Sequence, residues 1–323
     1  MSIVANSPCP YELLGPSRRA ADALGQLERA AADDRGVLIT AEAGLDAESI
    51  ARAVHQRSVR QAQPFVSLAC TGASAASLEK LLLGTAHLGK GADLETIAAG
   101  SSLFRAAGGV LFLSGINDMA APLQRRLARL LRDGEVRIAR RSSPVPLDVR
   151  VIAAVEDRLD AGLREELLRR LPLSIEVPAL RQRREDVQPI AQAMLGARNG
   201  RRRFSPAALT VLSALPWRRN TAELAGLIDR LSSAGDEARP ILQEDVLAEV
   251  QLDRAPSRPT DNLRDARRQF ERDFIASVLR DHSWQMREAA RALGIERANL
   301  YRKARQLGIP LRPEGGAERR VSG

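Results

Sequence analysis

Short runs of apolar and β-branched residues alternate with segments of helical spacing along the first two thirds of the chain. Apolar runs of this kind, separated by helices, are typical of strands that are buried on both faces of a parallel sheet. Apolar residues at helical spacing predict helices over residues 123–131 and 159–171. The predicted strands cover residues 36–40, 64–69, 109–113, 149–155 and 173–177.

The pattern changes after residue 183, where helical spacing continues without further strand-like runs. It predicts helices over residues 185–195, 206–215, 221–231 and 243–250. Residues 251–262 combine proline with polar residues, which is typical of a linker. The boundaries that we expect are an N-terminal extension (1–12), an α/β domain (13–182), a helical lid subdomain (183–250), a linker (251–262), a second helical domain (263–310) and a flexible tail (311–323).

Composition adds a strong charge asymmetry. The 323 residues carry a net charge of +9, and sixteen basic and nine acidic side chains lie between Arg254 and Gly323. Most of the excess positive charge is therefore in the last fifth of the chain. This distribution is typical of a nucleic-acid-binding module attached to a nearly neutral body.

Several classes of protein are disfavoured by what the sequence contains. Its two cysteines and three scattered histidines offer neither a disulfide framework nor metal-ligand spacing. No apolar run is long enough to span a bilayer, and the first residues lack the pattern of a secretory signal. We expect a cytoplasmic protein without membrane association and without a metal bound by protein ligands.

The stretch AEAGLDAE, residues 41–48, lies between a predicted strand and a predicted helix. In this context a phosphate-binding loop directs backbone N–H groups at an anion. Gly44 allows a tight turn, but Asp46 and Ala47 stand where such a loop needs a small residue and a lysine. Asp46 would oppose each phosphate charge by roughly 3 kcal/mol at ~5 Å and an effective dielectric constant of ~20.

A second glycine pattern, GTAHLGKG at residues 84–91, fits the first part of the same signature. It ends in Gly91 where serine or threonine would bind Mg²⁺, and it follows a leucine-rich helical stretch rather than a strand. We expect no phosphate site there.

Taken together, these segments resemble the AAA+ domain of the sigma-54-dependent transcriptional activators, the bacterial enhancer-binding proteins. The resemblance implies an α/β AAA+-like P-loop fold, in which a parallel sheet carries helices on both faces and a helical lid. It runs from about Leu14 to Val250. The motifs that carry it include PFVSLAC (64–70), GGVLFL (108–113), LQRRLARLLRDGEVR (123–137), DVRVIAA (148–154), LREELLRRL (163–171) and VPALRQRREDV (177–187).

The chain departs from this family at the positions that carry catalysis. The family loop has the form GESGxGKE, and Ser114 and Gly115 replace the acidic pair that would hold Mg²⁺ and orient water. Glu156 stands at the polar sensor position and Ala222 at the arginine position of the lid. The residues of the degenerate nucleotide site are Glu42, Gly44, Asp46, Ala47, Glu48, Ser114 and Gly115.

Loss of one pre-organised group commonly costs about 10²–10³ in rate. With several groups replaced, we expect no enzymatic activity and neither ATP nor Mg²⁺ as a cofactor. The family's GAFTGA loop, which touches sigma-54, has no match in residues 84–100. This absence independently argues against sigma-54 remodelling.

Arg164 and Arg170 match the arginines that, in the family, reach the γ-phosphate of a neighbouring subunit. Two interpretations stay open. The favoured one is that they form surface ion pairs with Glu165 and Glu166, since arginine is abundant in this chain. In the other, this chain assembles with an intact relative and donates these arginines in trans.

Residues 284–309, WQMREAARALGIERANLYRKARQLGI, resemble the helix-turn-helix of Fis-type domains. A small all-α domain is therefore expected after the linker, with its second helix in the major groove. In the family, helices such as the one predicted over residues 263–282 pair two subunits, which implies a palindromic operator. The residues expected at DNA are Arg297 and Asn299 for bases and Arg302, Lys303 and Arg305 for phosphates.

These observations predict a sequence-specific DNA-binding transcriptional regulator whose AAA+-like domain serves oligomerisation or partner contact. Two alternatives stay open: a residual ATP-binding activator of sigma-54, and a Fis-like protein that structures the nucleoid. The expected partners are double-stranded DNA, further copies of the chain in a homodimer or higher oligomer, and an intact AAA+ relative or RNA polymerase.

Overall fold

The structure is a computed structural model of the chain. It describes residues 10–84, 94–139, 143–156, 162–198, 202–233 and 239–254, and then residues 272, 275, 279, 284–292, 296–307 and 309. The chain divides into two compact units, Met1–Leu252 and Asp253–Gly323. No helix in the described part of the chain is long and apolar enough to cross a membrane.

A five-stranded parallel sheet forms the centre of the first unit, in the strand order β2-β4-β7-β1-β8. The predicted α/β fold is confirmed, and the ends of these five strands lie within one residue of the expected positions. The strands are β1 (Val37–Ala41), β2 (Phe65–Ala69), β3 (Thr96–Ile97), β4 (Val110–Ser114), β5 (Glu135–Ile138), β6 (Pro144–Pro146), β7 (Arg150–Glu156) and β8 (Leu173–Glu176).

Helices cover both faces of this sheet. Successive side chains of a strand point to opposite faces, so Leu111 and Leu113 of β4 enter one apolar core while Val110 and Phe112 enter the other. The first core receives side chains from α3 to α6, and the second from α1 and α2. These helices are α1 (Arg18–Ala32), α2 (Ala47–Gln56), α3 (Ala75–Leu83), α4 (Ser102–Arg105), α5 (Ala121–Asp133) and α6 (Glu165–Leu168).

A small second sheet was not predicted. In it β3 pairs with β5 in parallel, and β5 pairs with β6 antiparallel. Gly134 follows the last residue of α5 and caps the helix with a left-handed φ of 66°. The chain then turns into β5. Strands of two to four residues are too short to display a period, which is why the hydrophobic pattern did not indicate them.

The predicted helix over residues 159–171 is wrong as one continuous helix. Only the single turn Glu165–Leu168 is helical among its described residues. Gly162 has a φ of +90°, and Arg164 is extended with a ψ of 142°, so the helix cannot begin before Glu165. Residues 157–161 lie outside the described part of the chain.

Four helices form the lid subdomain around their own apolar core. Trp217 is almost completely buried in it, and its indole N–H donates to Leu212 O at 2.8 Å. The last helix runs to Arg254 and so includes the first four residues of the predicted linker. The helix can continue this far because the first proline of the predicted linker is Pro256. The helices are α7 (Val187–Arg198), α8 (Pro206–Ala214), α9 (Asn220–Ser233) and α10 (Gln243–Arg254).

The second unit contains α11 (Met286–Ala292) and α12 (Arg297–Gln306). Ala289 and Ala290 of α11 and Leu300 of α12 are buried together, as the helix-turn-helix pattern predicted. The predicted tail and most of the predicted linker lie outside the described residues.

Candidate nucleotide site and nucleic-acid interface

The loop between β1 and α2, residues 42–46, lies at the carboxyl end of β1. Its central residue, Gly44, has a φ of +84°. A Cβ atom at this position would lie 2.1 Å from Arg219 O, in the turn before α9. Glycine is therefore required here because the lid backbone approaches the loop closely.

Several amide groups at the end of this loop donate to acceptors within the chain. Leu45 N donates to Glu42 O at 3.1 Å, and Ala47 N donates to Leu45 O at 3.2 Å. Asp46 is the N-cap of α2, where its side chain accepts from Ser49 N at 3.1 Å. A carboxylate at the N-cap satisfies the donors that would otherwise be available to an anion.

The carbonyl groups of the same loop accept hydrogen bonds from the first turn of α9. Ala222 N donates to Gly44 O at 2.9 Å. Asn220 has a φ of 49° and is fully buried; its Nδ2 donates to Ala43 O at 2.9 Å, and its Oδ1 accepts from Leu180 N at 2.9 Å. The lid is thus hydrogen-bonded directly to the loop.

Glu12 is a site residue that the sequence analysis placed in the N-terminal extension and did not select. It is 4% exposed and accepts from Asp46 N at 3.3 Å and from Ser49 Oγ at 3.0 Å. The Thr221 hydroxyl lies 3.1 Å from both Glu12 Oε1 and Gly44 O. Burial raises the pKa of the Glu12 carboxyl above its ordinary value.

A cavity of about 210 Å³ lies beside the loop at the carboxyl ends of β1, β4 and β7. Among the described residues that line it there is no basic side chain. Glu42 is paired with Arg181 at 2.6 Å, and Glu48 is paired with Arg52 at 2.5 Å. The four acidic residues of the lining are Glu42, Asp46, Glu48 and Glu156.

Ser114 and Gly115 occupy the end of β4 at the same cavity. Gly115 has a φ of +60°, and a Cβ atom there would lie 2.0 Å from Thr71 Oγ1. A side chain at this position would need a left-handed backbone and a shift of the Thr71 hydroxyl. The described residues contain no group of three or more His, Cys, Asp or Glu side chains that could hold a metal ion.

The two arginines proposed to act in trans flank α6. The Arg164 guanidinium lies 3.4 Å from Glu166, one of the two glutamates proposed as its partners. The other glutamate, Glu165, pairs with Arg169. Arg170 is exposed and has no ion pair with any residue in the described ranges.

The predicted DNA-contacting residues all lie on α12. Leu300 and Ala304 hold this helix against the core of the second unit. The Arg297 guanidinium lies 5.6 Å from the centre of the Tyr301 ring, and Arg302 Nη2 donates to Asn299 Oδ1 at 2.7 Å. Arg297, Arg302 and Arg305 are exposed, whereas Asn299 and Lys303 are partly buried.

Comparison with protein families identifies both units. Residues 13–178 match the sigma-54 interaction domain, and residues 266–307 match the Fis family of bacterial regulatory proteins. The chain belongs to the sigma-54 interaction domain family. The predicted resemblance and its Fis-type helix-turn-helix are confirmed.

Relatives and solved structures agree with this assignment. The anaerobic nitric oxide reductase transcription regulator NorR of Citrobacter koseri is 33% identical over 92% of this chain and 63% of its own length. The transcriptional regulatory protein GlrR of Escherichia coli K12 is 30% identical over 93% of this chain and 67% of its own length. This chain therefore spans less than two thirds of the NorR relative.

The crystal structure of NtrX from Brucella abortus in complex with ADP superposes with a TM-score of 0.61 at 27% identity, covering 93% of this chain and 70% of NtrX. The Thermotoga maritima RuvB P216G mutant gives a TM-score of 0.57 at 14% identity, covering 94% of this chain and 92% of RuvB. The second likeness concerns the fold alone.

Replacing Asn220 tests the contact between the lid and the loop. We expect Asn220→Ala to lower the free energy of unfolding by about 2–5 kcal/mol, because it leaves two buried backbone groups without partners at a left-handed position. Asn220→Asp keeps the acceptor for Leu180 N but loses the donor to Ala43 O and buries a charge, so it should be destabilising as well. Denaturant titration measures both, and a loss below about 1 kcal/mol for Asn220→Ala would contradict this role.

Replacing Glu12 tests its burial. A carboxyl whose pKa is raised in the folded state stabilises the fold at low pH and loses that contribution as pH rises through the folded pKa. Gln keeps an acceptor for Asp46 N without the charge. Glu12→Gln should therefore become more stable relative to the wild type as pH rises from below about 4.5 towards neutrality.

The matched control for this measurement is Glu12→Ala, which removes the acceptor and should be less stable than Glu12→Gln at every pH. Chemical denaturation across the pH series gives both differences. A difference between the wild type and Glu12→Gln that does not change with pH would mean that the Glu12 pKa is not raised in the folded protein.

Proposed function

We propose that this protein is a sequence-specific DNA-binding transcriptional regulator whose AAA+-like unit has lost ATP hydrolysis and serves for oligomerisation or partner contact. The observation that carries the loss of hydrolysis is the hydrogen bonding of the β1–α2 loop. The amides of Leu45, Asp46 and Ala47 donate to groups of the chain itself, and the carbonyls of Ala43 and Gly44 accept from the lid.

The charge of the cavity supports the same conclusion. A nucleoside triphosphate would bring several negative charges to this lining, which contains no basic residue among its described members. Glu42 and Glu48 are each compensated by a neighbouring arginine. At an effective dielectric constant of ~20, each of the other two carboxylates, Asp46 and Glu156, would oppose a phosphate charge at ~5 Å by roughly 3 kcal/mol. The NtrX structures contain ADP or ATP, so the fold itself is compatible with nucleotide. The residues of this chain fit it poorly.

The second unit supports the DNA-binding part of the proposal. It matches the Fis family, and the last fifth of the chain carries most of the excess positive charge. The NorR and GlrR relatives are transcription regulators by name. We infer that this chain acts in the cytoplasm on a palindromic operator as a dimer or higher oligomer, with RNA polymerase or an intact AAA+ relative as a further partner.

Nucleotide binding is tested by equilibrium titration of the full chain with labelled ATP and Mg²⁺, with turnover measured in the same samples. The expected result is no binding at millimolar ATP and no turnover, because the amides of Leu45, Asp46 and Ala47 already donate within the chain and the loop has no lysine. The variant that combines Asp46→Gly with Ala47→Lys should gain binding but not turnover, since Ser114 and Gly115 are unchanged. Turnover by the wild type would instead support the residual sigma-54 activator.

The DNA interface is tested by two substitutions on α12. Arg297→Ala should reduce discrimination at one base pair by about 1–3 kcal/mol. Lys303→Ala should weaken all duplexes alike and reduce the slope of log K against log salt by about one. Fluorescence anisotropy with single-base variants of a selected duplex measures both effects. If both variants bind like the wild type, α12 does not read DNA through these side chains.

A further inference from the structure

Arg302 lies at the centre of the exposed side of α12, and the partly buried Asn299 lies beside it. Leu300 and Ala304 are the buried residues of this helix. At about 100° per residue, Arg302 lies about 160° from each of them and therefore points directly away from the core. Asn299 is three residues earlier, so that the two side chains are neighbours on one helix face.

The hydrogen bond between them fixes the orientation of the Asn299 amide. A guanidinium has only donors, so the atom of Asn299 that faces Arg302 Nη2 at 2.7 Å is the carbonyl oxygen. The amide nitrogen is then directed away from Arg302. The pair therefore presents Asn299 Nδ2 and the remaining guanidinium hydrogens as donors, while the Asn299 oxygen is held towards Arg302.

This orientation changes which base the pair can recognise. An asparagine that reads adenine needs its oxygen to accept from the adenine amino group. Here the hydrogen bond from Arg302 holds that oxygen towards the guanidinium, so it is not placed to accept from an adenine amino group. Guanine presents two acceptors, N7 and O6, on its major-groove edge and no donor there.

We propose that Asn299 and Arg302 act as one donor unit that selects guanine, with Arg302 as the residue that positions Asn299 rather than as a phosphate contact. This inference rests on the proposed DNA-binding function. It replaces the expectation that Arg302 contacts a phosphate while Asn299 contacts a base independently of Arg302.

The experiment begins with selection of a randomised duplex library by the full-length wild-type chain. Loss of discrimination in Asn299→Ala then identifies the base pair that this residue contacts. At that position the wild type should prefer guanine over adenine by about tenfold or more. Arg302→Met should lose this preference or shift it towards adenine, because the Asn299 oxygen becomes available.

Arg302→Gln is the matched control, since glutamine can donate to Asn299 Oδ1 at this spacing but carries no charge. It should keep the guanine preference that Arg302→Met loses. The inference is overturned if the wild type prefers adenine at that position. It is also overturned if both variants weaken all duplexes alike and lower the salt slope by about one, as loss of a phosphate contact would.

The selection separates this inference from the proposed function. If the wild-type chain enriches no sequence, sequence-specific DNA binding itself fails, and the inference fails with it. If a sequence is enriched but Arg302→Gln and Arg302→Met behave identically, only the positioning role of Arg302 fails.

Discussion

Direct hydrogen bonding between the lid and the β1–α2 loop is the constraint on which the first unit depends. Gly44 lies so close to the lid backbone that only glycine fits. Its carbonyl accepts from Ala222 N, and the Asn220 side chain links Ala43 O to Leu180 N. A buried backbone group without a partner costs about 1–3 kcal/mol. The lid and the sheet are thus held together by groups of the chain itself.

Glu12 extends this arrangement to the amide side of the loop. A carboxylate is the kind of group that the amides of such a loop bind in an anionic ligand, and here the chain supplies one. The Glu12 carboxyl is buried and its pKa is raised. Hydrogen bonds from Asp46 N and Ser49 Oγ hold this carboxyl in place. The backbone amides of Asp46 and Ala47 therefore both have acceptors within the chain.

The sequence predicted the sheet because strands buried on both faces are continuous apolar runs that local pattern can reveal. The prediction that Asp46, Ala47, Ser114 and Gly115 form a degenerate nucleotide site stays a prediction, and the structure places these residues together at one cavity. Glu12 was missed because its partners are up to 209 positions away in sequence, and a single acidic residue in an apolar segment has no period. On α12 the exposed residues were predictable, but the bond that orients Asn299 depends on side-chain geometry.

Hydrogen exchange at the amides of Asp46 and Ala222 tests the central claim most directly, since these groups donate to Glu12 and to Gly44. Exchange would be followed by NMR in the full chain without nucleotide and with millimolar ATP and Mg²⁺. The account predicts that both amides are protected without nucleotide and that ATP leaves their protection unchanged. Rapid exchange that slows when ATP is added would show instead that the loop is open and binds nucleotide.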